Sequence, residues 1–262
     1  MPRHDLFDLE GEVAVVTGGA GHLGSAICSG LADYGAAVFI ACRGMSSTQH
    51  IERLVSSYPL KIQHIPCDVH SRGSIDKAFE RIFNMNGKID ILVNNAYSGG
   101  PGKLDDMTES NWLAGIEGTI NHVFRCTQAV MPYMKECHYG SIINISSMYG
   151  SVSPDPSMYG ESGFDNPPNY GAGKAAIIQF TRYAACHLSP FGIRVNSISP
   201  GPFPNETVQE NVSFISKLNE KVPLKRFGKP EELKGAVILL ASNAASYITG
   251  ANIPVDGGWT AW

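Results

Sequence analysis

The sequence predicts an α/β fold in which a parallel sheet is doubly wound by helices on both faces. Three observations carry the prediction. Short runs rich in β-branched residues recur along the chain, and most are followed by a stretch whose apolar residues have helical spacing. The first of those runs leads straight into a glycine-rich turn. The 262 residues show no internal repeat and no second domain, and one α/β domain commonly fills that length. Strands that alternate with helices pair in parallel and are buried on both faces.

The run 12–17 (EVAVVT) is the first strand. It passes into Gly18-Gly19-Ala20-Gly21-His22-Leu23-Gly24, after which Ile27, Leu31 and Tyr34 mark a helix. Gly19, Gly21 and Gly24 stand in G-x-G-x-x-G register between strand and helix, which matches the dinucleotide-binding fingerprint. Glycines there allow the tight turn and let backbone N–H groups approach a pyrophosphate at the helix N-terminus. Gly18, His22 and Leu23 belong to the same turn, His22 either covering the pyrophosphate or facing solvent.

The second strand is 36–42. Sites for NAD place Asp or Glu about 20 residues beyond the glycines to hold the ribose. Cys42 and Arg43 stand there instead, and an arginine pairs with a 2′-phosphate where a carboxylate would repel it. The expected cofactor is therefore NADP, with NAD as the alternative.

The third strand is expected over 61–69, ending in Asp68-Val69, and a helix over 74–83. The fourth strand, 89–93, delivers Asn94-Asn95-Ala96-Tyr97 to a carboxyl edge of the sheet, where open α/β folds bind ligands. A long helix over 112–135, a fifth strand over 141–146 and a helix over 170–188 follow. The sixth strand, 192–198, is broken by Pro200-Gly201-Pro202. Residues 206–222 and 230–241 read as helices, and 253–256 as a last edge strand.

Two segments depart from this rhythm. An insert at about 153–169 is rich in proline, glycine and polar residues and includes Asp155, Glu161 and Asp165. Loops of that length in compact domains are usually functional or mobile. The segment at about 201–225 is expected to cover the substrate.

Tyr170 and Lys174 are four residues apart and share one helix face. Moving a phenol from pH ~10 to neutrality takes roughly 4 kcal/mol, which a nearby ammonium and partial burial can supply. A tyrosine tuned in this way exchanges a proton with a hydroxyl or carbonyl oxygen. Y-x-x-x-K alone is also common by chance, so its context decides.

Composition narrows the classes. Net charge is −4 and no run of Lys or Arg makes a basic stripe, which excludes nucleic acid and anionic membranes as expected partners. Charged residues are only 17%, which favours surface buried in a homo-oligomer. No apolar run reaches 18 residues, and residues 1–5 begin no signal core, so a cytoplasmic protein is expected. The six cysteines form no C-x-x-C pair and no Cys/His cluster with zinc spacing, so no metal is expected. They read as buried small apolar residues in a reducing compartment.

Together these segments resemble the short-chain dehydrogenase/reductase family over essentially the whole chain. The resemblance rests on Thr17-Gly18 to Gly24, Asp68-Val69, Asn94-Asn95-Ala96, Ser147, Tyr170 with Lys174, Pro200-Gly201, Tyr247-Ile248-Thr249-Gly250 and Asp256-Gly257-Gly258. It implies a single Rossmann-type domain of 1–262 holding NAD(P) across the carboxyl edge of the sheet, assembled as a dimer or tetramer. It further implies that Tyr170 is the acid/base, that Lys174 holds the nicotinamide ribose and depresses the tyrosine pKa, and that Ser147 hydrogen-bonds the reacting oxygen. Asp68, Val69, Asn95, Ala96, Pro200 and Gly201 join the glycine turn and Arg43 at the cofactor. Ser146 is rejected as the serine because strand alternation turns it the other way. Tyr149 and Tyr159 are rejected because Ser153 and Gly163 stand four residues on.

Several positions depart from the family pattern. The glycine register T-G-x-x-G-x-x-G is typical of an extended branch of epimerases and dehydratases. Thr119 stands where the family has a catalytic asparagine, and its hydroxyl is expected to keep part of the proton relay. Tyr97 replaces a usual glycine, and the gap from Ser147 to Tyr170 is longer by about ten residues. The shifted glycines, the Ala96-Tyr97 pair and the longer gap are similar to a subgroup of reductases acting on sugar-derived substrates. The expected activity is hydride transfer between the cofactor and a carbonyl or secondary alcohol of a small polar substrate. The alternatives are an epimerase or dehydratase, or a non-catalytic cofactor-sensing module.

Overall fold

The computed structural model describes residues 6–44, 48–100, 102–160, 162 and 164–262, so residues 1–5 and Glu161 and Gly163 of the insert lie outside the described residues. In chain order the elements are β1 (Val13–Thr17), α1 (His22–Asp33), β2 (Ala37–Cys42), α2 (Thr48–Ser57), β3 (Ile62–Pro66), α3 (Arg72–Asn86) and β4 (Ile91–Asn94). Then come α4 (Glu109–Ile116), α5 (His122–Cys137), β5 (Gly140–Ile145), α6 (Pro156–Tyr159), α7 (Pro168–Leu188) and β6 (Ile193–Pro200). The chain ends with α8 (Glu206–Gln209), α9 (Val212–Lys221), α10 (Lys234–Ala241) and β7 (Asn252–Val255).

The strands form one parallel sheet in the order β3-β2-β1-β4-β5-β6-β7. The order reverses between β1 and β4, and that switch point opens a crevice at the carboxyl ends of the strands. Strands β1, β4 and β5 are buried along their whole length, because helices cover both faces. One face packs against α1, α2 and α10 through Ile27, Leu31, Leu54, Val237 and Leu240. The other packs against α3, α5 and α7 through Ile75, Phe79, Val130, Met134 and Leu188.

Element boundaries differ from expectation where a local hydrogen bond or cap decides them. The third strand stops at Pro66, because the Asp68 N–H turns away to donate to Ser74 Oγ at 2.9 Å. The helix after it starts earlier, at Arg72, because Ser71 caps it. The sixth strand runs on past residue 198 to end at Pro200, which pairs with Val255, and Gly201 N–H donates to Val255 O at 2.9 Å. The expected helix 206–222 is split into α8 and α9, since Asn211 turns its side chain to accept from Phe214 N–H and starts a new helix. Helix α2 has no counterpart in the sequence reading; it turns Ile51, Leu54 and Val55 inward. The long central helix carries a π-turn over Glu117–Asn121, between α4 and α5. Its wider hydrogen bonding is a device often found at functional sites.

All six cysteines are free. Cys28, Cys67 and Cys126 are buried as expected, but Cys137 and Cys186 are exposed and Cys42 is half-buried at the crevice. No helix among the described residues is long and apolar enough to cross a membrane.

Candidate active site

At the switch point the ends of β1 and β4 are fastened by one side chain each. Asn95 Nδ2 donates to Thr17 O at 3.1 Å and to Gly18 O at 3.0 Å, while Thr17 Oγ1 accepts from the N–H groups of Asn95 and Ala96 at 3.1 Å each. Gly18 turns at φ +63°, and a Cβ there would come within 2.8 Å of Ala96 Cα. A side chain at Gly24 would run into the Gly18 carbonyl. Gly21 then begins α1 with no side-chain cap and no acidic residue in the first turn, leaving the helix N–H groups and positive dipole end facing the crevice.

The crevice has a volume of about 540 Å³. Gly18, Gly21, His22, Leu23, Gly24, Arg43, Asp68, Val69, Asn95, Ala96, Pro200 and Gly201 line it, as do Ser147, Tyr170 and Lys174. The structure thus brings the glycine turn and the distant Tyr170–Lys174 pair into one cavity. Gly19 is the exception: it turns inward, where a Cβ would lie 2.7 Å from Cys28 Sγ and 3.3 Å from Ile40 Cγ2. It keeps α1 close to the sheet rather than touching the cavity.

Ser147 leaves β5 in extended conformation and accepts from Tyr149 N–H at 3.2 Å. Its neighbour Ser146 is engaged elsewhere, donating to Lys174 O at 2.8 Å. That bond ties α7 to the end of β5, and Gly150 allows the approach, since a Cβ there would lie 2.9 Å from the Lys174 carbonyl. The Lys174 ammonium donates to Ile145 O at 2.8 Å and is 4% exposed. Burial pushes its pKa down to about 8. Burial also pushes the Tyr170 phenol up, and the Ser147 hydroxyl facing it pulls part of the way back. The expected depression of the tyrosine pKa is therefore not produced by the protein groups alone, because desolvation outweighs the hydrogen-bonding partner.

Thr119 does not reach the cavity. It is fully buried in the π-turn, and its hydroxyl donates back to Gly115 O at 2.8 Å and Ile116 O at 3.2 Å. It packs against Gly173, where any side chain would collide with it. The hydroxyl is committed to its own helix, which removes the expected relay role and leaves a packing role.

Other cavity residues escaped the sequence reading. His70 and Ser98 line the wall, with Ser98 Oγ 3.0 Å from His70 Nε2 and Glu117 Oε1 3.5 Å from His70 Nδ1. The Arg125 guanidinium holds Glu117 at a pKa of about 2. Neither residue lies in a motif, so only spatial adjacency reveals them. Behind them His122 is buried with neither ring nitrogen hydrogen-bonded among the described residues, and burial keeps it neutral with a pKa of about 3.

The insert and the segment after β6 meet on the far side of Tyr170. Phe214 of α9 stacks at a tilt on Tyr159 and Phe164 of the insert, with centroids 5.9 and 5.0 Å away. The Tyr149 and Tyr159 hydroxyls are 2.9 Å apart, and Tyr149 meets Trp259 edge-on. An exposed ion pair joins Lys221 to Asp155 at 2.7 Å.

Residues 18–260 match the model of the family described as enoyl-(acyl carrier protein) reductase. The 3-oxoacyl-(acyl-carrier-protein) reductase of Thermotoga maritima is 35% identical over 252 residues, covering 95% of this chain and 98% of that protein. The sorbose reductase of Candida albicans is 35% identical over 260 residues, covering 98% of this chain and 89% of that protein. Among solved structures, a gluconate 5-dehydrogenase from Burkholderia cenocepacia J2315, in complex with NADP and tartrate, superimposes with a TM-score of 0.88 at 30% identity over 98% of each chain. With the parallel sheet, the glycine turn and the Ser147–Tyr170–Lys174 cleft already in place, these likenesses assign the chain to the short-chain dehydrogenase/reductase family as an NAD(P)-dependent oxidoreductase.

Proposed function

We propose that the protein transfers a hydride between NADP(H) and the carbonyl or secondary alcohol carbon of a small polar, sugar-derived substrate. The observation that carries this reading is that Ser147, Tyr170 and Lys174 line the same cavity as the uncapped helix start at Gly21. The residues present fit a dinucleotide. A side chain at Gly18 or Gly24 would collide with the main chain that shapes this turn, and the free N–H groups at the start of α1 would hold a pyrophosphate. Exposed Arg43 edges the cavity where a carboxylate would repel a 2′-phosphate, which supports NADP over NAD. Asp68, Val69, Asn95, Ala96, Pro200 and Gly201 would complete the walls, and Lys174 would hold the nicotinamide ribose.

When bound, the nicotinamide supplies or accepts the hydride. The chain handles the oxygen and its proton. Ser147 would hydrogen-bond the substrate oxygen, and Tyr170 would donate its proton as a carbonyl is reduced. Burial favours the proton-bearing form of the Tyr170 phenol, which suits donation to a carbonyl oxygen. The polar insert and the sugar-acting relatives motivate the substrate class.

Separate titrations with NADPH and NADH, followed by turnover on sugars, polyols, lipophilic ketones and 3-oxoacyl thioesters, test the reading. Tighter NADPH binding and turnover on the hydroxylated compounds are expected. Turnover confined to the lipophilic ketones or thioesters would overturn the substrate class, and tighter NADH binding would overturn the role of Arg43.

A further inference from the structure

Tyr97, at the end of the β4 edge, is not used by the reading above. It follows Ala96, lines the cavity, and keeps 47% of its surface exposed. Its ring meets the Tyr170 ring at 82° with centroids 5.1 Å apart, the edge-to-face geometry that aromatic quadrupoles favour. Lys174 Nζ lies 5.8 Å from the Tyr97 centroid and 5.6 Å from the Tyr170 centroid. Both distances are within the range of about 6 Å over which an aromatic face attracts a cation. The chain makes room for this ring: a Cβ at Gly99 would lie 2.5 Å from the Tyr97 hydroxyl oxygen.

We propose that Tyr97 is a positioning residue for the Tyr170–Lys174 pair, its ring fixing the orientation of the Tyr170 phenol and its π-face supporting the Lys174 charge. The proposal rests on the oxidoreductase reading of the same site. The ammonium is almost fully removed from water, and among the described residues its hydrogen bond goes to a backbone carbonyl, Ile145 O. Among the described residues, no charged or titratable group around it offers a countercharge. His122 faces it from α5 but is held neutral by burial. The Tyr170 phenol is pushed up, and Tyr97 is pushed up to about 12 by burial first and Tyr170 second, so both remain uncharged at neutral pH. Burial is the one cause acting on Lys174 itself. The Ile145 carbonyl and the two ring faces are then the groups that favour its charged form. Edge contact with a second ring also limits the orientations open to Tyr170, whose phenol must meet a substrate oxygen within hydrogen-bond reach.

The test separates ring from hydroxyl and from bulk. Tyr97→Phe keeps the ring, whereas Tyr97→Leu keeps apolar bulk without a π-face, and Tyr97→Met replaces it should the leucine variant not fold. Steady-state kinetics with NADPH and the best substrate would be recorded from about pH 6 to about pH 10, spanning the lysine titration. Phe is expected to stay within about two-fold of the parent, while Leu lowers kcat about ten-fold with the KM for NADPH little changed. The alkaline limb of the kcat profile should also move to lower pH in Leu, because an ammonium with less support loses its proton sooner. The proposal is overturned if Leu reproduces the parent kcat and pH profile, if Phe and Leu lose activity equally, or if Leu raises only the KM for NADPH. Tyr170→Phe in the same assay keeps the two readings apart. If it retains turnover, the oxidoreductase reading fails; if it abolishes turnover while Tyr97→Leu behaves as the parent, only the positioning role fails.

Discussion

On one side of the cleft, β1, the glycine turn and the end of β4 meet through backbone atoms. Beyond Tyr170, outside the residues that line the cleft, the insert, α9 and Trp259 form a second wall of aromatic side chains and one exposed ion pair. Atoms of the first wall approach so closely that a methyl group at Gly18 or Gly24 collides with main chain, which cannot move aside as a flexible side chain can. Contacts of the second wall lie at ring-packing distances of 5.0 to 6.4 Å, and the Lys221–Asp155 pair is open to solvent. The first wall suits a ligand of fixed shape. The second can be altered residue by residue without disturbing the sheet. Tyr170 stands between them: its partners Lys174 and Ser147 are fastened to the sheet, while its ring also joins the aromatic cluster of the cover.

The largest expected effect falls at that junction. Tyr170→Phe should lower kcat by about 10³ while leaving NADPH affinity near that of the parent, measured by steady-state kinetics and fluorescence titration. Within the backbone wall, Gly24→Ala should cost about 1–3 kcal/mol of stability through overpacking and weaken NADPH more than about ten-fold. A variant that binds normally would show that the turn relaxes and would remove the contrast between the walls. At the rim of the same wall, Arg43→Ala should weaken NADPH about ten-fold and leave NADH unchanged, since it removes a charge-assisted contact to the 2′-phosphate alone. Smallest is Lys221→Ala across the cover: exposed pairs contribute little, so KM and kcat should stay within about two-fold. A large rise in KM there would mean that the ion pair, rather than the ring contacts, holds the cover.

The same contrast explains what could be seen before the structure. The backbone wall was legible because its constraints act over short stretches: glycines at fixed offsets between a strand and a helix, and a tyrosine and lysine one turn apart. Gly18, Gly21, Gly24, Arg43, Asn95, Ser147, Tyr170 and Lys174 all reach the cavity as expected. Gly19 was misplaced because a register cannot tell a glycine that faces a ligand from one that lets α1 sit against Cys28. Thr119 was misplaced because its alignment with an asparagine says nothing of its hydroxyl, which the π-turn directs to Gly115 and Ile116. His70 and Ser98 come from loops after β3 and β4, and only the parallel pairing of those strands with β2 and β1 brings them to the same wall. The sequence offers the Lys174 ammonium and partial burial together as causes that lower the Tyr170 pKa, whereas burial of a phenol acts the other way and sets the direction here.

The contact between Thr119 and Gly173 carries a consequence for how such sequences diverge. Gly173 immediately precedes Lys174, and the absence of its side chain is what admits Thr119 to the contact between α7 and the π-turn. The two positions therefore form one inherited unit: a larger residue at 173 can be accepted only with a smaller or differently turned residue at 119. Gly173→Ala alone should be destabilising by about 1–3 kcal/mol in thermal unfolding, and adding Thr119→Ala should restore most of that loss. Among descendants of this chain, substitutions at 119 and 173 are expected to arrive in pairs.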